Sequence, residues 1–318
     1  MTALRIIDGK KVNTQVAGRD FKYYVFDWDD NILHMPTRIY LEKKCEDGVW
    51  RPVAVSTSTY ALVRTDEKRY RFPRNGGREA AFRDFQDVPG DAANQSFIRD
   101  TQAALRRIAG GETPGPSFET MRKTLREGRI FAIVTARGHA SETIREAVKL
   151  FLDKVLTPDE REEMMENLRG YRWWLDRKTT FGTDEEELDY YLSMCRYHAV
   201  TSPGFKEMMS DDADFGARVA AASSAQRPEL AKEFAIRDFV EHIIHTLERT
   251  GGLELRKPMS VGFSDDDSGN VQAVSEYIRD ELASRFGSVK FVVYDTSDAS
   301  LSSGRKVTVA GQLDLPGF

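Results

Sequence analysis

Residues 22–30 read Lys-Tyr-Tyr-Val-Phe-Asp-Trp-Asp-Asp, a short apolar and aromatic run that stops at three carboxylates in four positions. A run without polar alternation predicts a strand buried on both faces, which is how strands of a parallel sheet read. The pattern recurs three times. Residues 130–134 (IFAIV) stop at Thr135-Ala136-Arg137-Gly138, 259–263 (MSVGF) at Ser264-Asp265-Asp266-Asp267, and 289–294 (VKFVVY) at Asp295. A further short strand is a candidate at 197–200. Between the runs, apolar residues recur at helical spacing over 118–127, 141–152, 229–249 and 270–286, with Pro228 suited to a first helical turn. Strands alternating with helices predict an α/β fold on a parallel, Rossmann-like sheet flanked by helices. Ligands of such sheets bind beyond the carboxyl ends of the strands, where three of the four runs deliver polar or acidic groups.

Two long stretches interrupt the alternation and set the expected domain organisation. Residues 1–35, 116–154 and 228–318 form the core. Residues 36–115 form a mixed, cap-type insertion, with strand-like stretches at 37–43 and 49–63 around a hairpin turn at Glu46-Asp47-Gly48. Its Gly- and Pro-rich end, 110–116, reads as the return to the core. Residues 155–227 read as a charged helical insertion carrying Trp173-Trp174 and Tyr190-Tyr191, with a small, polar loop at 220–226. Insertions of this length suit lids over a site.

The 318-residue chain is long enough for a full core without disulfides. Two distant cysteines, Cys45 and Cys195, give neither a disulfide framework nor a zinc cluster, so a reduced, cytoplasmic setting is expected. The net charge of −5 argues against a dedicated nucleic-acid binder without excluding a local basic patch. No signal-like segment or membrane-length apolar run is present in the sequence given.

Two carboxylates two residues apart at a strand end can face one site, one placed to act as a nucleophile and the other to move protons. The segment 25–33, with Asp27 and Asp29, resembles the first motif of the haloacid dehalogenase superfamily, in which such a pair follows an apolar strand. Asn31 stands where threonine is commoner. Thr135 with Ala136 and Arg137 resembles the second motif, and Asp265-Asp266-Asp267, with Asn270 four residues beyond Asp266, resembles the acidic fourth motif. The resemblance spans the core and neither insertion.

It implies a Mg²⁺-dependent phosphomonoesterase working through an aspartyl-phosphate: Asp27 as nucleophile, Asp29 as general acid and then base, and Thr135 and a lysine on the phosphoryl oxygens. Asn31, Ala136 and Arg137 would line the substrate. Mg²⁺ would sit on Asp27, the main chain of Asp29, Asp266 and Asp265. For the lysine, topology places Lys232 first, then Lys206, then Lys257, which precedes the wrong end of its strand.

Blander readings stand beside these. Asp27 and Asp29 could be a solvated turn, Thr135 a helix N-cap, Lys232 a solvated helix residue. His242 and His245 read as surface residues rather than metal ligands, and Trp173-Trp174 as packing of the insertion rather than a stacking platform. The expected substrate is a small phosphorylated molecule admitted under a closed lid. The rival functions are a polynucleotide end phosphatase, a phosphotransferase, and a non-catalytic Mg²⁺-binding scaffold.

Overall fold

The computed structural model describes residues 4–91, 94–176, 182–222, 227–255, 257–298, 301 and 304–311. An N-terminal hairpin pairs β1 (Leu4–Ile7) with β2 (Lys10–Asn13). The central sheet contains β3 (Phe21–Phe26), β7 (Phe131–Thr135), β8 (Arg196–Ala199), β9 (Met259–Asp265), β10 (Val289–Asp295) and β11 (Arg305–Ala310), in the order β11-β10-β9-β3-β7-β8. All neighbours are parallel except β11, which closes the β10 edge antiparallel. The fold is therefore α/β on a mixed, mostly parallel sheet, with helices on both faces.

Side chains alternate across a strand, and the two cores follow that parity. Phe21, Tyr23 and Val25 of β3, Ala132 and Val134 of β7, and Met259, Val261 and Phe263 of β9 face one core. It is covered by the helix Arg227–Arg249 through Phe234, Phe239, Val240 and Ile243. Phe26, Phe131 and Ile133 face the other, covered by the helices Phe118–Arg126 and Ser141–Val155 through Met121, Ile144 and Phe151.

The insertion over 36–115 carries its own three-stranded sheet, β5 (Trp50–Val55), β4 (Ile39–Lys44) and β6 (Tyr70–Arg71), in the order β5-β4-β6. The expected turn is there: Cys45 N–H donates to the Val49 carbonyl, and Gly48 takes a φ of 76°, which glycine tolerates best. The strand expected to run on to residue 63 stops at Val55. Ser56 caps a helix over Thr57–Val63, its hydroxyl accepting from Thr59 N–H, and that local bond diverts the chain from the sheet. The insertion begins and ends at one place, since Gly115 N–H donates to the Ile32 carbonyl and Ser117 N–H to that of Asn31.

Residues 155–227 are not a purely helical unit. Helices over Pro158–Tyr171, Asp184–Met194, Pro203–Asp211 and Ala213–Ala221 surround β8, which extends the central sheet beside β7. Trp174 packs on Phe21 with ring centroids 5.9 Å apart, so it belongs to the core wall. The loop expected at 220–226 falls partly on residues 223–226, outside the described residues. No helix among the described residues is long and apolar enough to cross a membrane.

Candidate functional site

The acidic ends of β3 and β9 meet because the two strands are parallel and in register, with Phe26 opposite Ser264. Asp27 and Asp265 continue the parity of Val25 and Phe263, so both project on the face covered by the helix Arg227–Arg249. That helix supplies Lys232 one turn from its start. The Lys232 ammonium donates to Asp27 Oδ1 at 3.0 Å and to Asp265 Oδ2. All three residues are buried. Burial opposes the charge on Lys232, but Asp265 and Asp27 together more than offset it and hold its pKa above the ordinary value. Lys206 is exposed, and Lys257 lies far away on the carbonyls of Ala17 and Arg19. Of the three candidate lysines, only Lys232 reaches the acidic site.

Burial, then repulsion from Asp265, Asp266 and Asp29, pushes the Asp27 carboxyl well above the usual range against the pull of Lys232. Asp266 is pushed up to about 7 by burial and by Asp265 and Asp30. Asp27 and Asp265 thus share one ammonium with Asp266 next in the chain, and carboxylates are the hard oxygen donors that a divalent cation such as Mg²⁺ takes. Both oxygens of Asp265 are engaged, Oδ2 by Lys232 and Oδ1 by Asp267 N–H and the Asn270 amide. Among the described residues, no three His, Cys, Asp or Glu side chains converge as a ready-made metal cage. Mg²⁺ commonly uses only one or two carboxylates and keeps its waters.

Asp29 sits apart from this cluster. Arg137 clamps it with Nε at 2.9 and 3.1 Å and Nη2 at 2.5 Å, and the Thr135 hydroxyl donates to it at 3.0 Å. Burial opposes ionisation, but the Arg137 charge and hydrogen bonds and the Thr135 hydroxyl outweigh it and hold the carboxyl below its ordinary value. Thr135, expected on a phosphoryl oxygen, is therefore engaged by Asp29. Arg137, expected to line the substrate, is 1 % exposed and lies between the rings of Phe85 and Phe97. Ala136 is exposed beside it, its carbonyl accepting from Thr201.

Asn31 does not line a substrate site. Asp30 adopts a left-handed φ of 57°, and the chain turns so that the fully buried Asn31 amide lies under Asp27. There it donates to the carbonyls of Asp27 and Ser264 and to the Ser264 hydroxyl, and accepts from Thr296. It braces the ends of β3, β9 and β10 against one another. Trp28, of opposite parity to Asp27, is buried against Phe97 and Phe151.

Four residues of the insertion complete the surroundings and were not singled out from the sequence. Thr37 accepts from Arg137 Nη2 at 2.7 Å and donates to Asp100, and the Thr57 hydroxyl donates to Asp30 at 3.0 Å. Asp87 accepts from His139, from Ala140 N–H and from the Thr143 hydroxyl, tying the insertion to the start of the helix Ser141–Val155. No local signal marks these residues, because each acquires its role by closing a long loop. Elsewhere, His242 is half-buried, bonded to the Met194 carbonyl and Arg196, whereas His245 is exposed.

A cavity of about 730 Å³ lies along β8 between Asp87, Ser141, His198 and Met208 and includes none of Asp27, Asp29, Lys232, Asp265 and Asp266. Its charged lining, Asp87, Glu142, Arg196, His198 and Asp238, is separate from the buried lysine–carboxylate cluster at the β3–β9 edge. No protein-family model matches the chain, and neither a curated protein nor a solved structure matches it.

Proposed function

We propose that this protein is a Mg²⁺-dependent phosphomonoesterase in which Asp27 takes the phosphoryl group. The observation that carries the reading is the buried Lys232 bridge between Asp27 and Asp265 at the carboxyl edge of a parallel sheet. A lysine in this place fixes the carboxylate rotamer of Asp27 and keeps positive charge beside an incoming phosphate. Without such charge, an anionic nucleophile would be repelled by an anionic substrate. The resemblance of 25–33, 135–137 and 261–270 to haloacid dehalogenase motifs supports the same reading.

In this mechanism, Asp27 attacks phosphorus through a carboxylate oxygen and the leaving alkoxide is protonated. Water then cleaves the acyl phosphate, returning Asp27 and releasing inorganic phosphate. Asp29 stands two residues away and is the proton carrier, giving its proton to the leaving group and taking one from water. It rests ionised in a pair with Arg137, so it must leave that clamp and take up a proton from solvent before it acts as an acid. The same exchange frees the Thr135 hydroxyl to donate to a phosphoryl oxygen. Asp27 and Asp266, with the main chain of Asp29, would hold Mg²⁺, which when bound supplies charge neutralisation to the phosphoryl group.

The test is Mg²⁺-dependent phosphate release from an aryl phosphate. Wild type should turn over with Mg²⁺ and stop with chelator, while Asp27→Asn should lose activity by at least 10³-fold and melt as a folded protein. Asp29→Asn should fall by about 10²–10⁴-fold, the usual contribution of general acid–base catalysis. Undiminished release by Asp27→Asn would remove the nucleophile from the proposal.

A further inference from the structure

The chain carries a net charge of −5, yet residues 36–84 hold eleven Lys and Arg against seven Asp and Glu, a local net of +4. The charge is segregated, and the basic part is the insertion that stands over the acidic site. Its sheet has one covered face and one open face. Ile39, Leu41 and Val55 turn inward onto Ala81 and Phe85, with Tyr60 and Val63 of the helix Thr57–Val63 packed beside them. By strand parity, Tyr40, Glu42 and Lys44 of β4, Trp50, Pro52 and Ala54 of β5, and Arg71 of β6 share the other face. Pro52 and Ala54 in the middle of it are exposed and small, so nothing bulky of the chain's own fills the centre.

What borders that centre is basic and aromatic in alternation. The Arg71 guanidinium lies 4.0 Å from the Trp50 ring centroid, and that of Arg83 lies 3.4 Å from the centroid of Tyr40. Arg38, Lys44 and Arg74 are exposed and have no ion-pair partner among the described residues. Two acids border the face and both are engaged: Asp84 accepts from the Tyr40 hydroxyl at 2.8 Å, and Glu42 has its pKa held down by the Arg71 hydrogen bond. Aromatic rings steadied by guanidinium groups, interleaved with unpaired cations, are the chemistry that receives unpaired bases and the phosphates between them.

The sheet is also anchored beside the acidic site. Thr37, just before β4, touches the Arg137 that clamps Asp29, and Thr57, just after β5, touches Asp30. The base of the hairpin is thus at the acidic site, and Lys44 and Trp50 are at its far end. Seven residues of extended chain from Thr37 to Lys44 reach about 23 Å, room for several nucleotides of a stretched strand.

We infer that the open face of the β5-β4-β6 sheet carries a single nucleic-acid strand whose phosphorylated end is delivered to Asp27. For the reacting end this rests on the phosphatase reading; the surface itself does not. It also replaces the expectation of a small-molecule substrate, which rested on insertions long enough to close as a lid, and the reading of the net charge against nucleic acid, which averaged over a chain whose charge is divided.

The probe is a fluorescein-labelled twelve-residue oligothymidylate with a terminal phosphate, followed by anisotropy at rising salt. The proteins are wild type, Lys44→Glu/Arg74→Glu and Trp50→Ala, with thermal melting to show that each is folded. Lys44 and Arg74 are exposed and Trp50 is half-buried, and none of the three belongs to either central core. Wild type should bind with an affinity that falls steeply with salt. The double charge reversal should weaken binding by more than tenfold, and Trp50→Ala by about tenfold. Wild-type hydrolysis of an aryl phosphate is scored separately. If it proceeds while the oligonucleotide fails to bind, or binds folded variants as tightly as wild type, the surface is refuted and the phosphatase stands. If aryl phosphate is untouched while binding follows the variants as expected, the surface stands and the phosphatase falls. Heparin binding equal to the oligonucleotide's, with Trp50→Ala harmless, would refute the nucleic-acid assignment in favour of an undiscriminating polyanion surface.

Discussion

At the scale of single residues, the site illustrates how much depends on parity. Asp27 and Asp265 meet Lys232 because each is the next odd position after a run of core residues on the face that helix covers. Asn31 shows the opposite case. Its place in the acidic motif suggested a substrate contact, but the left-handed turn at Asp30 sends it inward, where its amide satisfies groups from three strands. Removing it takes the side-chain donor from the Asp27 carbonyl and the acceptor from the Thr296 hydroxyl, and each buried group so left unsatisfied costs about 1–3 kcal/mol. Asn31→Ala should therefore lower unfolding stability by roughly 2–4 kcal/mol in urea titration. A change under about 0.5 kcal/mol would mean that the amide braces nothing. Asp27, Asp265 and Lys232 were legible because apolar runs and charges mark them. The Arg137 clamp was not, because nothing local says which carboxylate a buried guanidinium will choose.

At the scale of elements, four of the sheet's strands were readable from uninterrupted apolar runs and β8 as a further candidate, each within two residues of its observed limits, whereas the antiparallel edge strand β11, with Arg305 and Lys306 in it, was not anticipated. The end of β5 was missed because a single serine hydroxyl decided it. Strand β8 is short, and it depends on the helix Arg227–Arg249 for support. Asp238 of that helix accepts from His198 at 3.0 Å, and His242 bonds the Met194 carbonyl. Burial opposes the Asp238 charge, but the hydrogen bond and charge of His198 outweigh it and hold the carboxyl below its ordinary value. A depressed carboxyl stabilises the folded state fully above its unfolded value of about 3.9 and loses that contribution as pH falls through the folded one. Wild type should thus melt above Asp238→Asn at pH 6, and the gap should close progressively below about pH 4. A gap that is constant down to pH 2.5 would show that the pair contributes through packing rather than charge.

At the scale of the whole molecule, the average composition misled. A net charge of −5 hid a basic insertion on an acidic body, and only the sheet topology shows which residues form each. The core could be traced from periodicity, whereas the docking of the insertion through Thr37, Thr57 and Asp87 depends on contacts across dozens of residues. The bonds of Gly115 and Ser117 to Ile32 and Asn31 have a further consequence for the chain as a polymer. Some eighty residues leave and re-enter the body within one hydrogen-bonded step, so to the sheet they are a single closed ring. Closing such a ring costs an entropy that grows only as the logarithm of its length, about 0.6 kcal/mol for each doubling. The ring is not all detachable, because Phe97, Ala104 and Leu105 near its end belong to the body's own core. Shortening only residues 40–80 to a few glycines and serines should then leave the six-stranded body cooperative in thermal melting, with the three-stranded piece free to be exchanged for another. The body can thus keep its packing while the piece above it changes, much as a socket keeps its contacts when the plug is replaced.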